Sequence, residues 1–440
     1  MKLIYGIKDK PKFGQMLIFA FQQVLAILAA TIAVPAIVGN GMSAAAALFG
    51  AGVGTIVYQL FTKFRSPVFL GSSFAFIGSM VAAFAGAVSA SAGFAGIILG
   101  AVFAGLVYVV IAIVVKLVGV KWINKLMPPV VIGPTVALIG LSLAGAAIKD
   151  VFSYGPQDAN GAFIMSAPAW ASFVCAMVTL LVVVITSTYG KKMAKLIPFI
   201  IGILAGYVVA AIFTVCGIPV IDFSLFKDMT IFAVPEFTFL TALKGVKEID
   251  GSYIATVAVA YIPVAFVVFA EHIADHKNLS SIIDEDLLEN PGLHRTLLGD
   301  GVGSMAGAIF GGCPNTTYGE SVGCVAITKN ASVVTITTAA IMCIVISFFG
   351  PFVAFLDSIP GCVMGGVCTT LYGFIACSGL KMIQKVDLNQ NKNLFVVASI
   401  LIPGIGGMAM AIGKVTLTGI ACALILGIIV NLVVSKAKDE

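Results

Sequence analysis

The sequence predicts an all-α polytopic membrane protein. Three observations carry that expectation. Sixty per cent of the 440 residues are hydrophobic and only 10% are charged, against about 25% charged in soluble proteins. The apolar residues suffice for about 13 crossings at about 20 residues each. Lys and Arg also collect on one side of the apolar runs. A surface this poor in charge cannot face water, which excludes a soluble enzyme, a nucleic-acid binder and a disordered tail. The net charge of +5 acquires meaning only loop by loop.

In chain order the apolar runs lie at 16–38, 43–61, 67–87, 92–116, 126–148, 168–188, 196–216, 252–274, 296–312, 318–328, 332–356, 360–380, 393–411 and 415–435, giving 14 expected spans. Two are not plain helices. The run at 67–87 carries Gly71-Ser72-Ser73, and the run at 318–328 follows Gly311-Gly312-Cys313-Pro314-Asn315 and is too short to span as a helix. With the N-terminus inside, 20 basic residues fall in cytoplasmic segments and five in outer ones: Lys149, Lys227, Lys244, Lys247 and Lys414. This positive-inside bias supports the span count and cytoplasmic termini. The basic start, with Lys2, Lys8, Lys10 and Lys12, reads as an uncleaved cytoplasmic segment rather than a signal peptide. Segment 217–251 is a mixed-charge outer loop. Segment 275–295 is either a short amphipathic surface helix, with Leu279, Ile282, Ile283, Leu287 and Leu288 on one face, or a plain loop. The nine Cys lack C-x-x-C or Cys/His metal spacing and read as inert thiols, with no metal or cofactor expected.

Ser72-Ser73-Phe74-Ala75-Phe76 and Thr316-Thr317-Tyr318-Gly319-Glu320 follow one pattern: two hydroxyl residues, an aromatic, then a small residue. Each lies in the third span of a seven-span half. Because seven is odd, the second half enters from the opposite side, which is an inverted repeat. Irregular backbone at membrane depth persists only where protein or a cavity surrounds it. A half-helix starting after such a break aims free N–H groups inward.

Among the 20 acidic residues, Glu271, Asp275, Asp300, Glu320 and Asp357 lie in or beside spans. A charge at a helix centre costs about 2.5–3.5 kcal/mol. Glu271 ends the apolar run Val-Ala-Phe-Val-Val-Phe-Ala, and Glu320 directly follows the Gly/Pro break, so both are expected to be functional. Asp275 lies at i+4 from Glu271, on the same helix face, and belongs to the site or to an inner vestibule. Asp300, in Gly299-Asp300-Gly301, is expected as a cap or buried structural carboxylate, and Asp357 as a loop residue. His272 and His276 are expected at the interface, facing headgroups or cytoplasm.

These residues carry a family resemblance. Ala270-Glu271-His272-Ile273, Asn290-Pro291-Gly292-Leu293-His294-Arg295 and Pro314-Asn315-Thr316-Thr317-Tyr318-Gly319-Glu320 resemble the nucleobase–ascorbate transporter (nucleobase:cation symporter-2) family, and within it the bacterial uracil permeases. So do Gly71-Ser72-Ser73-Phe74-Ala75-Phe76, Gly365-Gly366-Val367 and Tyr372-Gly373, so the resemblance covers nearly the whole chain. The family signature is Gln, Glu or Pro, then Asn, any residue, Gly, four residues, Thr and a basic residue or Gly. Here it reads Glu320-Ser321-Val322-Gly323 through Thr328-Lys329. The resemblance implies 14 spans in two inverted repeats, with short strands in spans 3 and 10. It implies a core domain of 1–121 and 252–357 and a gate domain of 122–251 and 358–440. By motif it implies that Glu271 and Glu320 bind the nucleobase edge and that Phe74 and Gly319 offer backbone N–H groups. Ala30 and Tyr318 would line the site, and Tyr372 would reach in from the gate. It also implies proton coupling and a homodimer formed through the gate domain. Two departures stand out: Ser321 replaces the signature Asn, and Asp275 stands where a uracil permease has His. His276, about 100° further around the helix, is the candidate substitute.

Uracil is planar and neutral, with two N–H donors and two carbonyl acceptors. Two carboxylates and two backbone donors match it. A carboxyl in an apolar site takes up a proton more readily than in water. The expected activity is therefore proton-coupled uracil import by alternating access, with Glu271, Asp275 and His276 in the proton step and Glu320 as substrate anchor. A purine such as xanthine or urate is the alternative substrate, decided by the pocket that Phe74, Tyr318 and Tyr372 set. Sodium coupling stays open, because carbonyls at helix breaks bind the ion without a sequence signature. An anion exchanger or channel of the same architecture is disfavoured by Glu271 and Glu320. A membrane enzyme lacks its motifs, since neither G-x-S-x-G nor H-E-x-x-H occurs.

Overall fold

The computed structural model describes residues 3–119, 128–191, 193–227, 229–412 and 415–435. The expected domain boundary at 121 and 122 lies outside them, as do Lys2, Lys121, Lys125, Lys192, Lys414, Lys436 and Lys438. The first half runs α1 (Phe13–Val38), α2 (Ala44–Phe61), β1 (Leu70–Ser72), a 3-10 turn (Phe74–Phe76), α3 (Ile77–Ala85), α4 (Ala90–Val118), α5 (Pro129–Ser142), α6 (Ala144–Val151), α7 (Ala167–Tyr189) and α8 (Pro198–Val215). The second half runs α9 (Thr238–Gly245), α10 (Gly251–Ile283), α11 (Leu293–Gly311), β2 (Asn315–Thr317), α12 (Gly319–Thr328), α13 (Val333–Ile346), α14 (Gly350–Asp357), α15 (Gly361–Ile383), α16 (Asn391–Ile405), β3 (Met410–Ile412), β4 (Val415–Leu417) and α17 (Gly419–Val434).

Local chemistry starts these helices where the sequence supplies a cap. Ser43, Ser89, Ser166, Asp250 and Thr418 each accept a hydrogen bond from the amide three residues on. Pro129 and Pro198 open α5 and α8, where a missing N–H costs nothing. Among the described residues, eight helices are long and apolar enough to cross a membrane. They are Phe13–Val38, Ala44–Phe61, Ala90–Val118, Pro129–Val151, Ala167–Tyr189, Pro198–Val215, Gly251–Ile283 and Gly361–Ile383. Four shorter apolar helices accompany them: Phe74–Ala85, Val333–Ile346, Asn391–Ile405 and Gly419–Val434.

Several expected boundaries are corrected. The run at 332–356 divides into α13 and α14, because Gly350 and Pro351 restart the helix against segment 217–251, where Gly350 N donates to Ile231 O at 2.9 Å. The run at 393–411 stops at Ile405, where Gly406 and Gly407 lead into an antiparallel β3–β4 hairpin that periodicity did not reveal. Residues 275–283 form neither a separate surface helix nor a loop. They continue α10, with Leu279 and Ile283 buried on the stripe that begins at His272 and His276. Segment 217–251, expected as a loop, contains α9 and a 3-10 turn, Phe223–Phe226. Asp357 closes α14 rather than lying in a loop.

The core is built on close helix crossings. A Cβ at Gly50 would lie 2.4 Å from Gly307 O, one at Gly54 2.7 Å from Gly303 O, and one at Gly311 2.6 Å from Ala47 Cα. Glycine at every fourth position thus brings α2 and α11 into backbone contact, the small-residue packing that substitutes for a hydrophobic drive inside lipid. The same device joins α5 to α15, where a Cβ at Gly379 would meet Ala137 N at 2.2 Å.

Candidate functional site

The two broken segments meet. Strands β1 and β2 pair antiparallel, with Leu70 opposite Thr317, Gly71 opposite Thr316 and Ser72 opposite Asn315. The ladder continues at both ends, from Ser73 N to Pro314 O at 2.9 Å and from Tyr318 N to Phe69 O at 3.1 Å. Each break satisfies the other's backbone, which is how non-helical chain survives at depth. Asn315 anchors the pair. Its amide fills the slot that Gly54 and Gly307 leave open and donates to Gly50 O at 3.2 Å.

Each strand then feeds a helix. The 3-10 turn begins at Phe74 and α12 begins at Gly319. Their first amides have no acceptor within their own helices. Glu320 sits in the first turn of α12, where the helix dipole favours an anion. Tyr318 is 4% exposed, and its hydroxyl donates to Ser72 O at 2.8 Å. Its ring covers Gly71, where a Cβ would be 2.4 Å from the ring carbons. Any larger residue at Gly71 would therefore displace the tyrosine ring.

From α10, Glu271 is exposed although Phe269 (1%), Ala270 (9%) and His272 (0%) around it are buried. Asp275, one turn on, accepts a hydrogen bond from Thr317 Oγ1 at 2.8 Å. Asp275 Oδ1 lies 3.9 Å from where a Cβ would stand on Gly319. Glu271, Asp275 and Glu320 are within electrostatic reach of one another. Phe74 is half-buried and meets the Tyr372 ring edge-on, with centroids 6.4 Å apart. Ala30 is buried in the same apolar cluster as Tyr318.

The structure therefore brings Glu271, Asp275, Glu320, Gly319 and Tyr318 to one strand pair, with Phe74 and Tyr372 facing each other beside it. The histidines are a correction. His272 and His276 are not interfacial; they are 0% and 1% exposed, because they bond side chains of neighbouring helices inside the bundle, His272 to Asp300 and His276 to Tyr58. His276 bonds Tyr58 at 2.7 Å and Ser66 at 3.3 Å. Three contacts went unread in the sequence: Thr317 on Asp275, Ser321 on Phe69, and His272 on Asp300. The Gly-Asp-Gly tripeptide around Asp300 was the available signal for the last.

Ser321 shows what its departure from Asn achieves here. It is fully buried, its hydroxyl accepts from Phe69 N at 3.0 Å, and its carbonyl accepts from Gln23 Nε2 at 3.4 Å. It clamps the entry of β1 to α12. Ser321→Ala is expected to lower stability by about 1–3 kcal/mol, since it orphans a buried amide. A thermal melt of purified protein in detergent checks this.

Two cavities lie elsewhere. One of about 370 Å³ sits between segment 217–251 and α14, lined by Thr230, Gly350 and Asp357. The other, about 500 Å³ and apolar, lies between α4, α9 and α10, lined by Leu99, Ala242 and Ile254.

Residues 14–413 match the Permease family (Xan_ur_permease). The chain is 38% identical over 443 residues to the uracil permease of Bacillus subtilis (strain 168), covering 100% of this chain and 97% of that protein. It is 37% identical over 435 residues to the uracil permease of Bacillus caldolyticus, covering 98% and 95%. In structure it is similar to the transmembrane domain of the cyanobacterial bicarbonate transporter BicA, with a TM-score of 0.66 and 18% identity over 97% of this chain and 100% of that one. That likeness concerns the fold alone.

Proposed function

This chain belongs to the Permease family of nucleobase–ascorbate transporters, and from that premise we propose that it imports uracil across the cytoplasmic membrane, driven by protons. Its family makes it a transporter and not an enzyme. The observation that carries the reading is the carboxylate cluster at the paired strands. Glu271 and Glu320 accept the ring N–H groups of a uracil, and the first amides at Phe74 and Gly319 meet its carbonyls. Tyr318 and Ala30 form the apolar wall, and Tyr372 closes against Phe74 over the ring. The identity to uracil permeases supports the pyrimidine.

In this reading Glu271 exchanges the coupled proton and Asp275 accepts it, because Asp275 is held on the same face by Thr317. His276 is left out, since both its ring nitrogens are engaged away from the site. The chain has 14 crossings in two inverted halves, with both termini cytoplasmic. A core domain of 1–121 and 252–357 moves past a gate domain of 122–251 and 358–440, through which the protein dimerises.

Binding of uracil, xanthine and uric acid to purified protein at two pH values tests this. Uracil is expected to bind tightest, and more tightly at the lower pH. Tighter xanthine binding would reassign the substrate to a purine. In proteoliposomes without sodium, an inward proton gradient is expected to drive uracil accumulation. Glu271→Gln is expected to abolish that accumulation while leaving exchange of uracil down its own gradient. Retained uphill uptake with its pH dependence would remove Glu271 from the coupling step.

A further inference from the structure

We propose that the buried His272–Asp300 pair, completed by Thr296, is a positioning clasp that sets the rotation of α10 and so holds Glu271 and Asp275 against the substrate. The proposal rests on the reading of those carboxylates as the nucleobase site.

The clasp is written into Gly299-Asp300-Gly301. A Cβ at Gly299 would lie 2.9 Å from the Tyr58 ring, and one at Gly301 would lie 2.8 Å from Tyr108 Cβ. The two glycines let α2 and α4 close over both flanks of Asp300, which is 0% exposed. Its Oδ2 meets His272 Nδ1 at 2.8 Å, and its Oδ1 has no hydrogen-bond partner among the described residues. The strongest pairing of this carboxyl is thus with His272, and the Thr316 hydroxyl of β2 lies beside it.

Proton bookkeeping defines the pair. Thr296 Oγ1 donates its one hydrogen to Leu293 O at 3.0 Å. It can then only accept from His272 Nε2, 3.0 Å away, so that nitrogen bears a proton. One further proton occupies the Nδ1–Oδ2 contact, whichever atom holds it. The pair is net neutral in either arrangement, as an apolar interior demands. The nearest basic side chain in sequence, Arg295, is committed elsewhere, with its Nε donating to Phe61 O at 2.9 Å.

A second histidine extends the tie. The His276 ring stacks on His272 at 4.1 Å, its Nδ1 donates to His272 O at 2.9 Å, and its Nε2 meets Tyr58 of α2 at 2.7 Å. One face of α10 is thus bonded to α2 and α11, and the adjoining face presents Glu271 and Asp275. A helix rotation of about 10° carries a carboxylate about 1 Å, enough to spoil a hydrogen-bonded pose. His272 and Asp300 touch no substrate; they act through the helix.

The test is uracil affinity of purified full-length variants by calorimetry, alongside monodispersity and melting temperature. In monodisperse protein, His272→Ala and Asp300→Ala are expected to weaken uracil binding about tenfold or more. The conservative variants are expected to stay within about threefold of wild type: His272→Asn, whose amide nitrogen reaches the Nδ1 position, and Asp300→Asn, whose amide can donate to Nδ1 in a neutral pair. If His272→Ala does not fold, Asp300→Ala against Asp300→Asn decides. Unchanged affinity in Asp300→Ala, or no restoration in either conservative variant, would overturn the clasp. Failure of the wild type to bind uracil would instead strike the functional reading on which it rests.

Discussion

Glu320→Ala is expected to weaken uracil binding at least about 100-fold, with the protein still folded and monodisperse. Glu320 sits in the first turn of α12, beside the break where β2 ends at Thr317. Removing it deletes charge-assisted hydrogen bonds worth about 1.5–3 kcal/mol each. Every 1.4 kcal/mol is a factor of ten in affinity. The side chain is half-buried, and its hydrogen bond from the protein is local, from its own amide, so stability is expected to hold. Calorimetric titration of uracil measures the affinity, and a melt in the same buffer measures the fold. A drop below tenfold would mean that Glu320 is not the anchor. The contrast with Glu271→Gln is informative, because that change is expected to strike accumulation more than binding.

Gly307→Leu is expected to yield little or no folded protein. A Cβ there would lie 2.1 Å from Asn315 Nδ2, and the facing Gly50 is packed so closely that a Cβ on it would lie 2.4 Å from Gly307 O. A leucine adds four carbons where none fits, and overpacking costs about 1–3 kcal/mol per intrusion, occasionally more. It also ejects the Asn315 amide from its slot, unseating β2. The expected readout is loss of the monodisperse peak in size-exclusion chromatography. Gly145→Leu is the control, since nothing lies within 4 Å of its projected Cβ and the residue is exposed. A Gly307→Leu protein with a wild-type profile would mean that α2 and α11 do not meet as described.

Much of the fold was legible because lipid imposes a simple rule. Apolar runs long enough to cross announce themselves, and the long helices fall where the composition put them. The two breaks were legible because Gly, Ser and Pro interrupt such runs at matching places. What stayed illegible was partnership. Nothing in the sequence states that Gly71 opposes Thr316, or that Asn315 enters a slot made by glycines on two helices. The histidines mark the limit most clearly. Next to a loop rich in charge, His272 and His276 read as surface residues, yet they are buried because Asp300, Thr296 and Tyr58 arrive from other helices to bond them. Ser321 read as a missing amide and proved to be a bonded hydroxyl.

The sequence by itself determined the solvent of this protein, the positions of its long helices, and the residues too costly to bury without purpose. Those properties are local, set by transfer free energy and by glycine and proline along a single run. Tertiary structure decided which of the costly residues face the paired strands and which face the bundle. That choice depends on the rotation of α10, and bonds from α2, α11 and β2 set that rotation. A helix carries its hydrophobic pattern within itself, but its orientation belongs to the neighbours it is bonded to.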